Sequence, residues 1–204
     1  MTRISVAPAS PGSWPDVEHA LTGGGDGASC WCQWFRLTSR DFSASSREDL
    51  RAELREEVEH GGQDGRPPGL VARVDGVAAG WCRVGPRTGQ PRLARTRIVR
   101  SAGTHPLDDA GVWAVTCFVV RREFRGQGVA RFLAHEAVGF AHAHGATLLE
   151  AYPVDVGARR ATGARTSSNE LYHGDVGIFE SAGFTLAGHP TPTRAVMTLD
   201  LRTS

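Results

Sequence analysis

Residues Phe118 to Leu133 read FVVRREFRGQGVARFL, an apolar run joined to a helical pattern through little but arginine and glycine. The run begins further back, at VWAVTCFVV (112–120), whose near-continuous hydrophobicity predicts a strand covered on both faces. Arg121, Arg122 and Arg125 follow it, and Arg131 falls inside the helical pattern. From Gly128 onward Val129, Phe132, Leu133, Ala137, Phe140 and Ala141 recur at helical spacing, which predicts a helix from Gly126 to His144 stopped by Gly145. The first N–H groups of such a helix have no acceptor, and its dipole favours an anion. Gly126 and Gly128 carry no Cβ, so the backbone can approach phosphate oxygens, and Ala130 keeps the first turn slim. A pyrophosphate suits this turn. The glycine pattern of a Rossmann site and the Gly-Lys-Ser/Thr of a P-loop are both missing from it.

Outward from this unit the chain reads as further strands and helices. RISVAPA (3–9) predicts a short strand, WPDVEHALT (14–22) a short helix, and GGGDGAS (23–29) a flexible break. Ser46 opens a segment with Glu48 two residues on and Leu50, Leu54 and Val58 at helical spacing, a helix over 46–60. GLVARVDGVAAGWCRVG (69–85) alternates about Asp75-Gly76, a strong hairpin signal. Residues 86–110 are rich in Pro, Gly and Arg and predict a loop excursion with a strand or turn near ARTRIV (94–99). ATLLEAYPV (146–154) is the next strand, RRATGARTSS (159–168) a polar loop, NELYHGDVGIFESAGF (169–184) a short helix and AVMTLDL (195–201) a last strand. The expected fold class is mixed α/β. Residues 1–204 form a single domain in which a central mixed, twisted sheet of about six to seven strands is flanked by helices.

Composition narrows the function. A 40% hydrophobic, 22% charged chain is ordinary for a globular protein, and a net charge of +1 gives no bulk attraction to nucleic acid. All 23 basic residues are arginine, which excludes lysine chemistry. The apolar run over 111–120 is far short of the ~20 residues of a membrane helix, and the N-terminus has no signal-peptide core, so a cytoplasmic protein with no membrane partner is expected. Disulfides are not expected in that compartment. Cys82 and Cys117 lie in strand-like segments as small buried thiols.

The pattern Arg125-x-x-Gly128-x-Ala130 after a strand resembles the acetyl-CoA motif of the GCN5-related N-acetyltransferase (GNAT) superfamily. Val119–Leu133 and FESAGF (179–184) carry the resemblance closely, and element order carries it from Gly69 to Leu201. It implies an acetyl-CoA-dependent N-acetyltransferase, an acyltransferase that moves the acetyl group directly to a primary amine of a small molecule or protein. Acetyl-CoA would be the cosubstrate, with no metal, and the enzyme would work alone or as a homodimer. Backbone groups of Phe118, Val119 and Val120 would pair with the pantetheine arm as an added strand, Val119 or Val120 polarising the thioester carbonyl. Arg125, Gly126, Gln127, Gly128, Val129 and Ala130 would hold the diphosphate, and Asn169 would contact the cofactor. The family's tyrosine acid is replaced here by Phe179. A catalytically silent acyl-CoA-binding module is the alternative.

With Phe179 unable to donate a proton, Tyr172 becomes the candidate acid for the departing thiolate; a half-buried phenol with a satisfied hydroxyl is the other reading of it. The candidate base is Glu150, a carboxylate flanked by Leu149 and Ala151 in a covered strand, where burial would raise its pKa; pairing with an arginine is equally open. Glu123, Asp155 and His173 are rivals, His173 as a loop histidine titrating near neutrality. CWCQWF (30–35) has too few cysteines for a zinc site, and Trp31, Trp34 and Phe35 either wall the acceptor pocket or pack in the core. Arg87, Arg92, Arg95, Arg97 and Arg100 are expected either on a solvated loop or facing an anionic acceptor or ribose phosphate.

Overall fold

The computed structural model describes residues 2–23, 27–102, 105–161, 163 and 170–202. The chain runs β1 (Ile4–Pro8), α1 (Trp14–Thr22), α2 (Gly27–Cys30), α3 (Ser39–Ala44), α4 (Arg47–His60), β2 (Gly69–Val74) and β3 (Val77–Pro86). It continues through α5 (Pro91–Arg95), α6 (Arg97–Ala102), β4 (Val112–Val120), α7 (Val129–Ala143), β5 (Leu148–Ala151), α8 (Val156–Ala161), α9 (Val176–Glu180), β6 (Thr185–Thr191) and β7 (Arg194–Asp200). Among the described residues the strands make one seven-stranded sheet in the order β1-β2-β3-β4-β5-β7-β6. The sheet is mixed, since β4 pairs with β5 in parallel while the other pairings are antiparallel.

Local chemistry explains most of these elements. Asp75 and Gly76 hold φ of 49° and 88°, the two left-handed residues that a tight two-residue hairpin needs, and they set Val74 opposite Val77. Ser46 caps α4 by accepting from Asp49 N, while the Asp49 carboxylate accepts from Ser46 N; the reciprocal partner is Asp49, one residue beyond Glu48. Leu50, Leu54 and Val58 of α4 are buried, together with Trp14, Val17 and Leu21 of α1, on one face of the sheet. On another face α7 buries Val129, Leu133, Ala137, Phe140 and Ala141, and a fully buried side chain of the larger kinds contributes ~1.5–3 kcal/mol. Phe132 was expected in that stripe and instead points outward, 48% exposed.

Several expected boundaries move. The helix begins at Val129, not Gly126, because Gly126 and Gly128 take φ of 77° and 85° and belong to the turn. The 86–110 excursion is largely helical: Pro91 stands in the first turn of α5, where its missing N–H costs nothing, and residues 94–99 fall in α5 and α6, joined at Thr96, instead of a strand or turn. Gly27–Ser29 belong to α2, while 24–26 lie outside the described residues. Part of the expected polar loop is α8; positions 162 and 164–168 lie outside the described residues. β6 was not foreseen.

The excursion is fastened to the sheet by charge. Arg87, 2% exposed, donates from Nη1 to both carboxylate oxygens of Glu150 at 3.0 Å and from Nη2 to the His105 and Pro106 carbonyls. The Tyr152 hydroxyl donates to Glu150 Oε2 at 2.6 Å; burial, then the adjacent carboxylate, pushes that phenol well above its usual range, so it stays protonated. Removing one member of a buried ion pair strands the other. Glu150→Ala should therefore lower stability by about 3–5 kcal/mol, read as a lower urea midpoint with an unchanged m value; a midpoint within error of the parent would show the pair to be dispensable.

Candidate active site

The site begins where two strands part. β4 pairs with β5 from Val112↔Leu148 to Val115↔Ala151 and no further. On the other edge the register with β3 shifts, Val84 facing Val115 and Arg83 facing Cys117, which leaves Thr116 as a bulge. Beyond it Arg121 N–H donates to Ala79 C=O on β3, so by strand alternation Val119 also points its backbone groups at β3, while those of Phe118 and Val120 face the edge that β5 has left. Arg125 Nε donates to Val120 C=O at 3.1 Å, which fixes that direction independently. The expected thioester donors were Val119 or Val120; of these the backbone of Val120 faces the free edge, as that of Phe118 does, and the backbone of Val119 faces β3.

A cavity of about 470 Å³ lies along this free edge. Its walls include Cys117, Phe118, Val119 and Val120 of β4, Arg125 and Ala130 at the start of α7, and Tyr172 and Asp175 from the segment opposite. At its α7 end the first helical bond runs from Phe132 N–H to Gly128 C=O, leaving the N–H groups of Val129, Ala130 and Arg131 without a helical acceptor. A Cβ built on Gly126 or Gly128 meets nothing within 4 Å, so the space beside both glycines is open. Gln127 is exposed there and donates to the Glu123 carbonyl at 3.1 Å. Asn169 lies outside the described residues.

Of the two catalytic candidates, the structure brings Tyr172 to the cavity and not Glu150. Glu150 is 3% exposed, is held by Arg87 and Tyr152, and is not part of the cavity wall; the arginine-pairing reading is the one the geometry supports. Burial pushes the Tyr172 phenol up despite the opposing charge of Arg194, so it carries its proton at neutral pH. Phe179 is fully buried against Phe118 and Phe184, with ring centroids 5.7 and 5.2 Å apart. Glu123 is exposed and pairs with Arg121, and Asp155 caps α8 and contacts His189. Sequence reasoning missed Asp175, a carboxylate in the cavity wall whose Oδ1 accepts from Ile178 N at 3.1 Å as the N-cap of α9. An Asp ahead of a short apolar run was the available signal.

The CWCQWF segment supplies the remaining wall. Cys30, Cys32, Trp34 and Phe35 line the cavity, whereas Trp31 is buried 6.0 Å from Trp14. Trp31 and Cys32 have φ of 44° and 59°, a left-handed turn that aims Cys32 at the sheet. Arg92 stacks 3.9 Å from the Trp34 ring and donates to the Leu37 and Thr38 carbonyls. With Arg87 and Arg92 both buried, only Arg95, Arg97 and Arg100 of the five expected on a solvated loop are exposed. Among the described residues no group of three or more His, Cys, Asp or Glu side chains is arranged to hold a metal ion, and no helix is long and apolar enough to cross a membrane.

Comparison with known proteins agrees with this geometry. The model of the acetyltransferase (GNAT) family matches residues 31–163, and the chain belongs to that family. Solved structures share its fold over nearly the whole length of both chains. A ribosomal-protein-alanine N-acetyltransferase from Brucella melitensis is 16% identical, with 96% of this chain and 99% of that one covered at a TM-score of 0.55. An N-acetyltransferase from Staphylococcus aureus Mu50 is 16% identical, with 98% and 99% covered at 0.54. The Salmonella typhimurium protein yncA, whose structure holds its cofactor acetyl-CoA, is 13% identical, with 97% and 94% covered at 0.54. No curated protein matches the sequence.

His173 corrects a further expectation. It is 5% exposed, packed between Phe35 and Tyr172, with Nδ1 buried and unpartnered. Burial, then the charge of Arg194, lowers its pKa from 6.5 to about 3, against an opposing hydrogen bond to the Thr116 backbone. Its folded-state pKa lies below its unfolded value, so its contribution to stability is complete above pH 6.5 and is lost as pH falls toward 3. Unfolding measured between pH 6.5 and 5 should show a loss of roughly 1 kcal/mol per pH unit that His173→Phe removes; an equal slope in both proteins would mean that the imidazole is accessible to protons in the fold.

Proposed function

We propose that the protein is an acetyl-CoA-dependent N-acetyltransferase that passes the acetyl group directly to a primary amine of a small molecule or protein. One observation carries this reading: a single cavity runs along the unpaired edge of β4, from Arg125 and Ala130 on either side of the open glycine turn to the protonated phenol of Tyr172. The thioester of acetyl-CoA supplies an activated acyl group when bound. The residues present fit that ligand, because the turn has room for phosphate oxygens where a Cβ would otherwise project.

The chain's own groups then divide the work. Amides at the start of α7 and Arg125 hold the diphosphate end, with Gly126 and Gly128 keeping the approach clear. The N–H groups of Phe118 and Val120 pair with the pantetheine arm, and one of them faces the carbonyl oxygen as it gains charge. Tyr172 returns a proton to the leaving sulfur. An amine near its ordinary pKa of ~10.4 must shed a proton before attack, and Asp175 is the carboxylate on the cavity wall that can take it, directly or through water.

The reading is tested by following free thiol release from acetyl-CoA with a panel of amines; tight binding without release for any amine would leave a silent acyl-CoA-binding module. Tyr172→Phe should lower kcat by about 10²-fold with little change in acetyl-CoA affinity. Asp175→Asn, which keeps a good helix cap, should lower kcat by a similar factor, about 10², and unchanged turnover would remove the aspartate from the proton path. Gly128→Asn tolerates the positive φ but fills the turn. Calorimetric titration should then show acetyl-CoA binding at least about tenfold weaker, some 1.4 kcal/mol, at a nearly unchanged unfolding midpoint. Parent affinity in that variant would place the diphosphate elsewhere.

A further inference from the structure

The cavity wall holds a second chemistry that acyl transfer does not use. Cys32 and Cys117, distant in sequence, both line the cavity and pack into one buried cluster around Trp81. Trp81 Nε1–H donates to the Cys32 sulfur at 3.1 Å, and the Arg83 guanidinium and the Cys117 thiol, both from the sheet, act on its charge. All three favour negative charge there. Arg83 is itself 4% exposed and anchored by Glu57 at 2.7 Å, so its charge is fixed in place.

We propose that Cys32 and Cys117 form a peroxide-reactive dithiol site, with Cys32 as the attacking thiolate and Cys117 as the thiol that closes an intramolecular disulfide.

The steps balance with one hydrogen peroxide. The Cys32 thiolate attacks one peroxide oxygen and the O–O bond breaks; the departing hydroxide takes a proton and leaves as water, giving a sulfenic acid at Cys32. The Cys117 sulfur then attacks the Cys32 sulfur and displaces hydroxide, which leaves with the Cys117 proton as a second water. Two electrons pass from the sulfurs to the peroxide, and a dithiol reductant reverses the change. The cavity gives a small oxidant access to a pair that is otherwise buried.

The charges around the pair support the assignment of roles. Burial alone would raise the Cys32 pKa, but the Cys117 hydrogen bond, Arg83 and Trp81 together bring it down to about 7. Its hydrogen bond to Cys32, then burial, drives Cys117 the other way, so it remains the proton-bearing partner. The ionisable groups around the pair are Cys82 and Arg83 on β3, which act on Cys32, with Glu57 of α4 behind Arg83, and Cys30 and Tyr172, which act on Cys117. Cys82 is raised by burial and then by the Cys32 charge, while Glu57 is lowered, burial being outweighed by Arg83 and Arg36; neither changes charge near pH 7.

The test treats the full-length reduced protein with hydrogen peroxide and counts thiols after denaturation. The four thiols should fall by two, with a mass loss of about 2 Da, a non-reduced peptide map joining Cys32 to Cys117, and full recovery with dithiothreitol. The rate should rise with pH through about 7. Cys30→Ser should still lose two thiols, whereas Cys117→Ser should stop at a Cys32 sulfenic acid that dimedone traps. Persistence of all thiols, a bond joining any other pair, or dimedone labelling elsewhere would overturn the proposal. The peptide map of the unmodified chain decides it even if a serine variant fails to fold. None of these readouts requires acetyl-CoA, so failure of the acetyltransferase reading leaves this test intact.

Discussion

The separation of β4 from β5 after Val115 is the constraint on which the rest depends. A central strand carries backbone donors and acceptors on both edges, and buried ones must find partners. β5 ends at Ala151, and Pro153 two residues later has no N–H with which to continue a ladder; Val154 instead bridges Asp175 and Arg194. β4 runs on alone. The protein meets part of the resulting demand itself, through Arg125 at the Val120 carbonyl and His173 at the Thr116 backbone. The remaining edge groups open on the cavity, and in the proposed reaction a ligand with its own amide groups takes the place of the missing strand.

Around this gap the fold accepts the cost of buried charge. Arg87–Glu150 ties the helical excursion to β5, and Arg83–Glu57 ties α4 to β3, while Arg36 adds a second contact to Glu57. Such pairs add little net stability against a hydrophobic substitute of equal shape, so their value lies in direction. Glu150 is oriented from one side by Arg87 and from the other by Tyr152, and Arg83 is held where its charge also reaches Cys32.

What the sequence disclosed follows the range of the interactions involved. The Asp75-Gly76 hairpin, the apolar run of β4 and the stripe of α7 are specified by neighbours within a few residues, and all were legible. β6 was not, because Thr185–Thr191 carries Gly188 and Pro190, lies at the sheet edge and pairs irregularly with β7. The prolines and glycines of 86–110 read as a loop, yet Pro91 starts a helix. Glu150 looked like a base because nothing near it in sequence announces Arg87, and Cys117 looked like an inert filler because Cys32 comes beside it only through the fold. The phosphate turn was legible because the dihedral freedom it needs is written in its own glycines.

In the proposed reaction the two walls of the cavity have opposite characters. The β4 wall offers backbone groups, whose direction the strand fixes and whose charge cannot change with pH. The wall from Tyr172 to Asp175 offers side chains that can exchange a proton: burial retains it on the Tyr172 phenol, and Asp175 reaches the cavity from a helix cap. His173 lies between them in sequence yet is withdrawn into the core and kept neutral, so a titrating imidazole does not compete with either. Stabilising charge with fixed dipoles on one side while moving protons on the other is the division that direct transfer from a thioester to an amine requires.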